Sequence, residues 1–137
     1  MKDQMLIAYA KDVLGVSNED IAKITPEQEQ EFKNAFENMM KYRLVAEVAT
    51  SKYCAAGLKV GQKIVFSGTT IDTGASDCPL CSGVLGPLAG KTLVYLDRCS
   101  NNANLTAPMG AISCVDPGFD AGGLGNVSMK VRIEPIS

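Results

Sequence analysis

The spacing of apolar positions changes once along the chain. Over residues 1–42 they recur every three or four positions; from about Tyr42-Arg43 onward they alternate or gather in short runs. The first pattern predicts helices. Leu6, Tyr9, Ala10 and Val13 fall on one helical face, with Gly15 as a stop. A second short turn is expected from Ser17, with Asp20 three residues on. In Thr25-Pro26-Glu27-Gln28 a hydroxyl stands at the N-cap, proline at the first helical position, and a glutamine is placed to reach back to the cap. The helix that follows carries Phe32, Phe36, Met39 and Met40 as one apolar stripe. That stripe is expected to pack on the sheet; the alternative is a homo-oligomer or partner-subunit interface formed by the N-terminal helices.

The second pattern predicts strands. Residues 43–50 and 128–134 suit an antiparallel pair with Arg43 opposite Glu134 and Glu47 opposite Lys130. The same register sets Leu44, Ala46 and Val48 against Ile133, Val131 and Met129 on the other face, so one alignment satisfies both faces. Further strands are expected at Lys63–Phe66, Thr92–Leu96 and Ala111–Val115, each bounded by turn formers. Residues 67–77 and 100–110 read as polar loops, which puts the cysteines at loop and strand ends. The expected fold is α+β in a single domain, 1–137. Its helical N-terminal segment, 1–42, would pack on an antiparallel, twisted or barrel-like sheet within a mainly β segment, 43–137.

Composition narrows the function. A net charge of −2 offers no footprint for a nucleic-acid backbone or an anionic membrane surface. No apolar run nears the roughly 20 residues that cross a bilayer, and the first residues lack the order of a secretory signal, so a cytoplasmic protein is expected. In that reducing setting the five cysteines (Cys54, Cys78, Cys81, Cys99 and Cys114) read as thiols or metal ligands and not as a disulfide framework. Histidine is absent, which removes the commonest general base and every Cys-His pair.

Asp77-Cys78-Pro79-Leu80-Cys81-Ser82-Gly83 has the form of a metal knuckle: two thiolates three positions apart can reach one centre from a tight turn. No second Cys-x-x-Cys follows, so two further ligands would come from Cys54, Cys99 and Cys114, and spacing does not choose among them. Soft sulfur donors suit zinc or an iron–sulfur cluster. The competing readings are packed apolar thiols and a redox-active or nucleophilic pair.

Other features read as structural. Gly118–Gly125 is glycine-rich but runs into a strand, so it lacks the helix a pyrophosphate needs; it suits a tight turn or a close approach to another backbone. Asp72, Asp77, Asp97 and Asp116 are carboxylates near the cysteines in sequence and Tyr53 and Tyr95 are candidate proton donors, but each reads first as a turn former or surface group.

The stretch Lys52–Phe66 with Cys54, the Cys78-Pro79-Leu80-Cys81 element, and Cys114-Val115-Asp116 leading through Gly122-Gly123-Leu124-Gly125 to Met129-Lys130-Val131 resembles a family of small cysteine-containing proteins of anaerobic bacteria. The resemblance implies Cys54, Cys78, Cys81 and Cys114 as the metal ligands, with Cys99 outside the set or a substitute. Ala121 and Leu124 stand where that pattern carries cysteine and tryptophan. The leading functional expectation is metal or iron–sulfur cluster binding in an accessory or redox protein of anaerobic metabolism. A zinc-stabilised structural or interaction module is the second expectation. The third is a small enzyme using a metal or thiolate on a small substrate, in a cleft beside residues 67–77.

Overall fold

The computed structural model describes residues 1–136. Three helices open the chain: α1 (Gln4–Asp12), α2 (Asn18–Lys23) and α3 (Pro26–Lys41). Each starts on a side-chain cap. Asp3 accepts from the Met5 and Leu6 amides, and Ser17 accepts from Asp20. At Thr25 the reciprocal box with Gln28 is complete, at 3.2 Å and 2.9 Å. The starts at Ser17 and Thr25 are the ones the sequence predicts; the Asp3 cap is seen only in the structure.

Then follow β1 (Tyr42–Lys52), β2 (Lys63–Ser67), β3 (Thr70–Ile71), α4 (Ser82–Ser100), β4 (Ala111–Ser113) and β5 (Asn126–Pro135). The five strands form one open antiparallel sheet in the order β3-β2-β1-β5-β4. The class is α+β, as expected, but the sheet does not close into a barrel. β1 and β5 pair in the predicted register, Arg43 with Glu134 through Val48 with Met129, and a bulge follows between Val48 and Thr50. Glu47 lies opposite Lys130 yet makes its ion pairs with Arg132 and Lys63. With Arg43–Glu134 and Arg132–Glu134 these link five charged side chains across β5, β1 and β2.

Thr92–Leu96 is not a strand. It lies inside α4, a 19-residue helix, so the segment after residue 43 is less β than its composition suggests. Val84, Leu88, Tyr95 and Cys99 are the buried face of that helix. They recur at helical spacing and meet Leu44, Ala46, Ile64 and Met129 from the sheet in one core. Each large side chain removed from water there contributes about 1.5–3 kcal/mol at most. That burial outweighs the strand preference of Thr92-Leu93-Val94-Tyr95-Leu96.

The Phe32, Phe36, Met39, Met40 stripe does not lie as a unit on the sheet. α3 packs mainly on α4 and reaches the core through Ala35 and Met39. Phe36 stacks edge-on against Tyr9 of α1, while Phe32 and Met40 are exposed. The buried polar residue at the α3–α4 seam is Asn38, whose amide donates to the Cys99 carbonyl (2.8 Å) and to Asn102 Oδ1 (2.7 Å). No helix among the described residues is long and apolar enough to cross a membrane.

Candidate cysteine site

Four of the five cysteines gather at one end of the sheet. Cys54 follows the last residues of β1, Cys81 is the N-cap of α4, and Cys114 directly follows β4. All three line a cavity of about 330 Å³, whose walls include Leu58, Val84 and Val127. Cys78 lies close by but in the core, only 7% exposed, with its thiol directed at the Pro79 carbonyl 3.5 Å away. Burial pushes the Cys78 thiol up to about 11, and Asp77, Cys54 and Cys81 add to the effect.

Cys99 is elsewhere. It sits fully buried in the last turns of α4, separated from Cys81 by about 27 Å of helix at 1.5 Å per residue. Burial pushes its thiol up as well. Cys99 is therefore a core side chain inside a helix; it is neither at a strand end nor within reach as a substitute ligand.

Three local devices hold the cavity walls. The first is Pro87. Proline inside a helix has no N–H, so the carbonyl four residues earlier, Gly83, loses its helical partner. Gly83 instead accepts the Val115 amide at 3.0 Å, which ties the residue after Cys114 to the first turn of α4 beside Cys81. A β-carbon on Gly83 would stand 3.5 Å from Cys81 Sγ and 4.0 Å from Cys114 Cβ, a measure of how near the two cysteines lie.

The second device is the loop between β4 and β5. Asp116 Oδ1 accepts the amides of Gly118 (2.9 Å) and Leu124 (3.1 Å). The Gly118 amide, with those of Leu124 and Gly125, holds the Asp116 carboxyl below the usual carboxylate range against the opposing effect of burial. Folded round that carboxylate, the loop brings Gly125 hard against the backbone of Tyr53 and Cys54. A β-carbon there would lie 2.6 Å from the Tyr53 carbonyl carbon and 3.0 Å from the Cys54 nitrogen. This is the close backbone approach its glycines suggest. Tyr53 itself has φ of 55°, an uncommon conformation for a residue with a side chain.

The third device is a set of donors on sulfur. Cys114 Sγ receives the Val127 amide at 3.3 Å and the Asn126 side-chain amide at 3.7 Å. Asn126 also donates to the Asp116 carbonyl at 2.7 Å, which fixes its direction. Donors of this kind favour sulfur carrying negative charge or bonded to a metal.

The other polar candidates are structural. Asp72 caps the turn at Gly74 and Ala75, Asp77 accepts the Lys63 amide, and Asp97 accepts from the Asn101 side chain. The Tyr95 hydroxyl donates to the Tyr42 carbonyl. The cleft expected beside residues 67–77 is not where the thiols meet; they meet beside the β4–β5 loop. Asp116, Gly83, Pro87 and Asn126 were not legible as supports of the site. The one available signal was the proline four residues after Gly83.

Among the described residues, no three cysteine, aspartate or glutamate side chains stand close enough to hold a single metal ion. A tetrahedral zinc held by thiolates would need sulfurs about 3.8 Å apart, from a bond of about 2.3 Å. No protein-family model, curated protein or solved structure matches the chain. What the site can do therefore rests on its own residues.

Proposed function

We propose that the protein binds an iron–sulfur cluster in the cavity between the end of β1, the start of α4 and the β4–β5 loop. Cys54, Cys81 and Cys114 would be its sulfur ligands, and Cys78 is the nearest further thiol. The observation that carries this reading is the convergence of three partly exposed thiols, remote in sequence, on one cavity of about 330 Å³. That volume is far more than one coordinated ion occupies. A polynuclear cluster sets its thiolates further apart than a single ion does, so thiols that do not share one ion leave the cluster reading open to test. The amides on Cys114 Sγ are the kind of second-sphere donors that tune cluster potential. An accessory or redox role in anaerobic metabolism follows from the resemblance in the sequence and from no feature of the cavity.

The test is anaerobic reconstitution with ferrous iron and sulfide. The expected product is brown, absorbs near about 400 nm and holds iron and sulfide in equal amounts. Cys81→Ala and Cys114→Ala should lose that absorbance while Cys99→Ala keeps it. A colourless protein holding one zinc would return the structural-zinc reading. Colourless, metal-free protein with fast-reacting thiols would favour thiolate chemistry on a small substrate.

A further inference from the structure

We propose that the groove between α1 and α3 docks a second copy of this chain, giving a two-fold dimer through the N-terminal helices. The groove has a volume of about 580 Å³ and is floored by Leu6 and Phe36. Met5 stands on one wall and Met40 on the other, 68% and 66% exposed. Tyr9 and Phe32 are exposed as well, so the apolar surface continues along both helices. Every lining residue belongs to α1, its cap Asp3 or α3. The other side of α3 is already engaged: Asn34 and Asn38 donate to the Ser100 and Cys99 carbonyls of α4, and Ala35 and Met39 reach the core.

Shape and charge both point to a second copy. A two-fold interface sets one patch against itself, so that patch must carry both a projection and the recess that receives it. Met40 projects beside a groove of the right character, and methionine is unbranched and adapts to irregular recesses. The charges are self-complementary too. Glu37 and Lys41 both line the groove, four residues apart on α3, and among the described residues neither makes an ion pair.

These features set a register. With α3 antiparallel to its copy and the axis beside Met40, Glu37 of each chain faces Lys41 of the partner subunit, and two ion pairs form symmetrically about the methionines. An anionic lipid surface is the poorer match for the same apolar face. α3 carries four glutamates against two lysines, a balance that such a surface repels.

The experiment is sedimentation equilibrium of the full chain over about 1–200 µM, under reducing conditions so that no intermolecular disulfide is counted. Wild type is expected to dimerise reversibly. Met40→Glu, at an exposed position, is expected to stay monomeric throughout with an unchanged circular dichroism spectrum. Glu37→Lys sets like charges at both symmetric contacts and should weaken the dimer about tenfold. Adding Lys41→Glu to that variant rebuilds both pairs with their signs exchanged, and should return the dissociation constant to within about threefold of wild type. Wild type that is monomeric at the highest concentration overturns the proposal. A dimer that survives Met40→Glu overturns it too, because the interface then lies elsewhere. A dimer that Met40→Glu abolishes, but that Lys41→Glu does not restore in the Glu37→Lys background, keeps the docking face and overturns the antiparallel register.

Discussion

A β-carbon at Gly125 would be driven into the backbone of Tyr53 and Cys54, where no flexible side chain can yield. Gly125→Ala must therefore shift β1's exit or the β4–β5 loop. The expected loss is about 1–3 kcal/mol, the scale of stored backbone strain, read by urea unfolding, with faster alkylation of Cys54 in the native state. Wild-type stability and reactivity would show that the contact is slack. Asn38 is the second residue whose replacement is informative. Asn38→Ala removes both bonds at the α3–α4 seam and leaves the Cys99 carbonyl without its amide donor. A cost of about 1–3 kcal/mol is expected, seen as a drop of several degrees in Tm. At this scale the sequence was legible where a residue acts on its neighbours, as at Thr25 and Gln28. It was silent where the partner is remote: nothing near Asn38 announces Cys99, and nothing near Gly83 announces Val115.

Elements were legible in proportion to how far one period ran without interruption. The β1–β5 ladder could be placed to the residue because alternation on both strands, with opposite charges on one face, permits a single register. α4 was hidden by its own composition. Gly86, Pro87 and Gly90 are residue types that interrupt helices, and Thr92–Leu96 reads as a strand, although Val84, Leu88, Tyr95 and Cys99 keep helical spacing throughout. The breaker that obscures the helix is also what ties it to Cys114, and this is testable. Pro87→Ala supplies an amide that competes with Val115 for the Gly83 carbonyl, while improving local helix propensity. The expected outcome is a Tm no lower than wild type, together with faster hydrogen exchange at the Val115 amide. Unchanged protection there would show that the proline has no part in holding the cysteine segment.

At the scale of the molecule, the fold sorts its acids into two environments, and solution pH should report the division. Cys78, Cys99 and Tyr95 all sit in the core, and burial pushes each of their acid dissociations upward, Cys78 to about 11. A group with a raised folded value binds its proton more tightly when folded. Its stabilising effect is complete below the unfolded value, about 8.5 for a thiol, and is lost as pH rises through the folded one. The metal-free protein should thus hold constant stability up to about pH 8.5 and weaken steadily toward pH 11, with Cys78→Val flattening that decline. The same division predicts native alkylation. Cys54, Cys81 and Cys114 are partly exposed and should be modified first, whereas Cys78 and Cys99 should wait for unfolding. Mass spectrometry after timed alkylation separates the two sets. Fast labelling of Cys99 would mean that the core holding α4 to the sheet opens readily, and the cavity whose walls depend on α4 would then lack the rigidity a bound cluster requires.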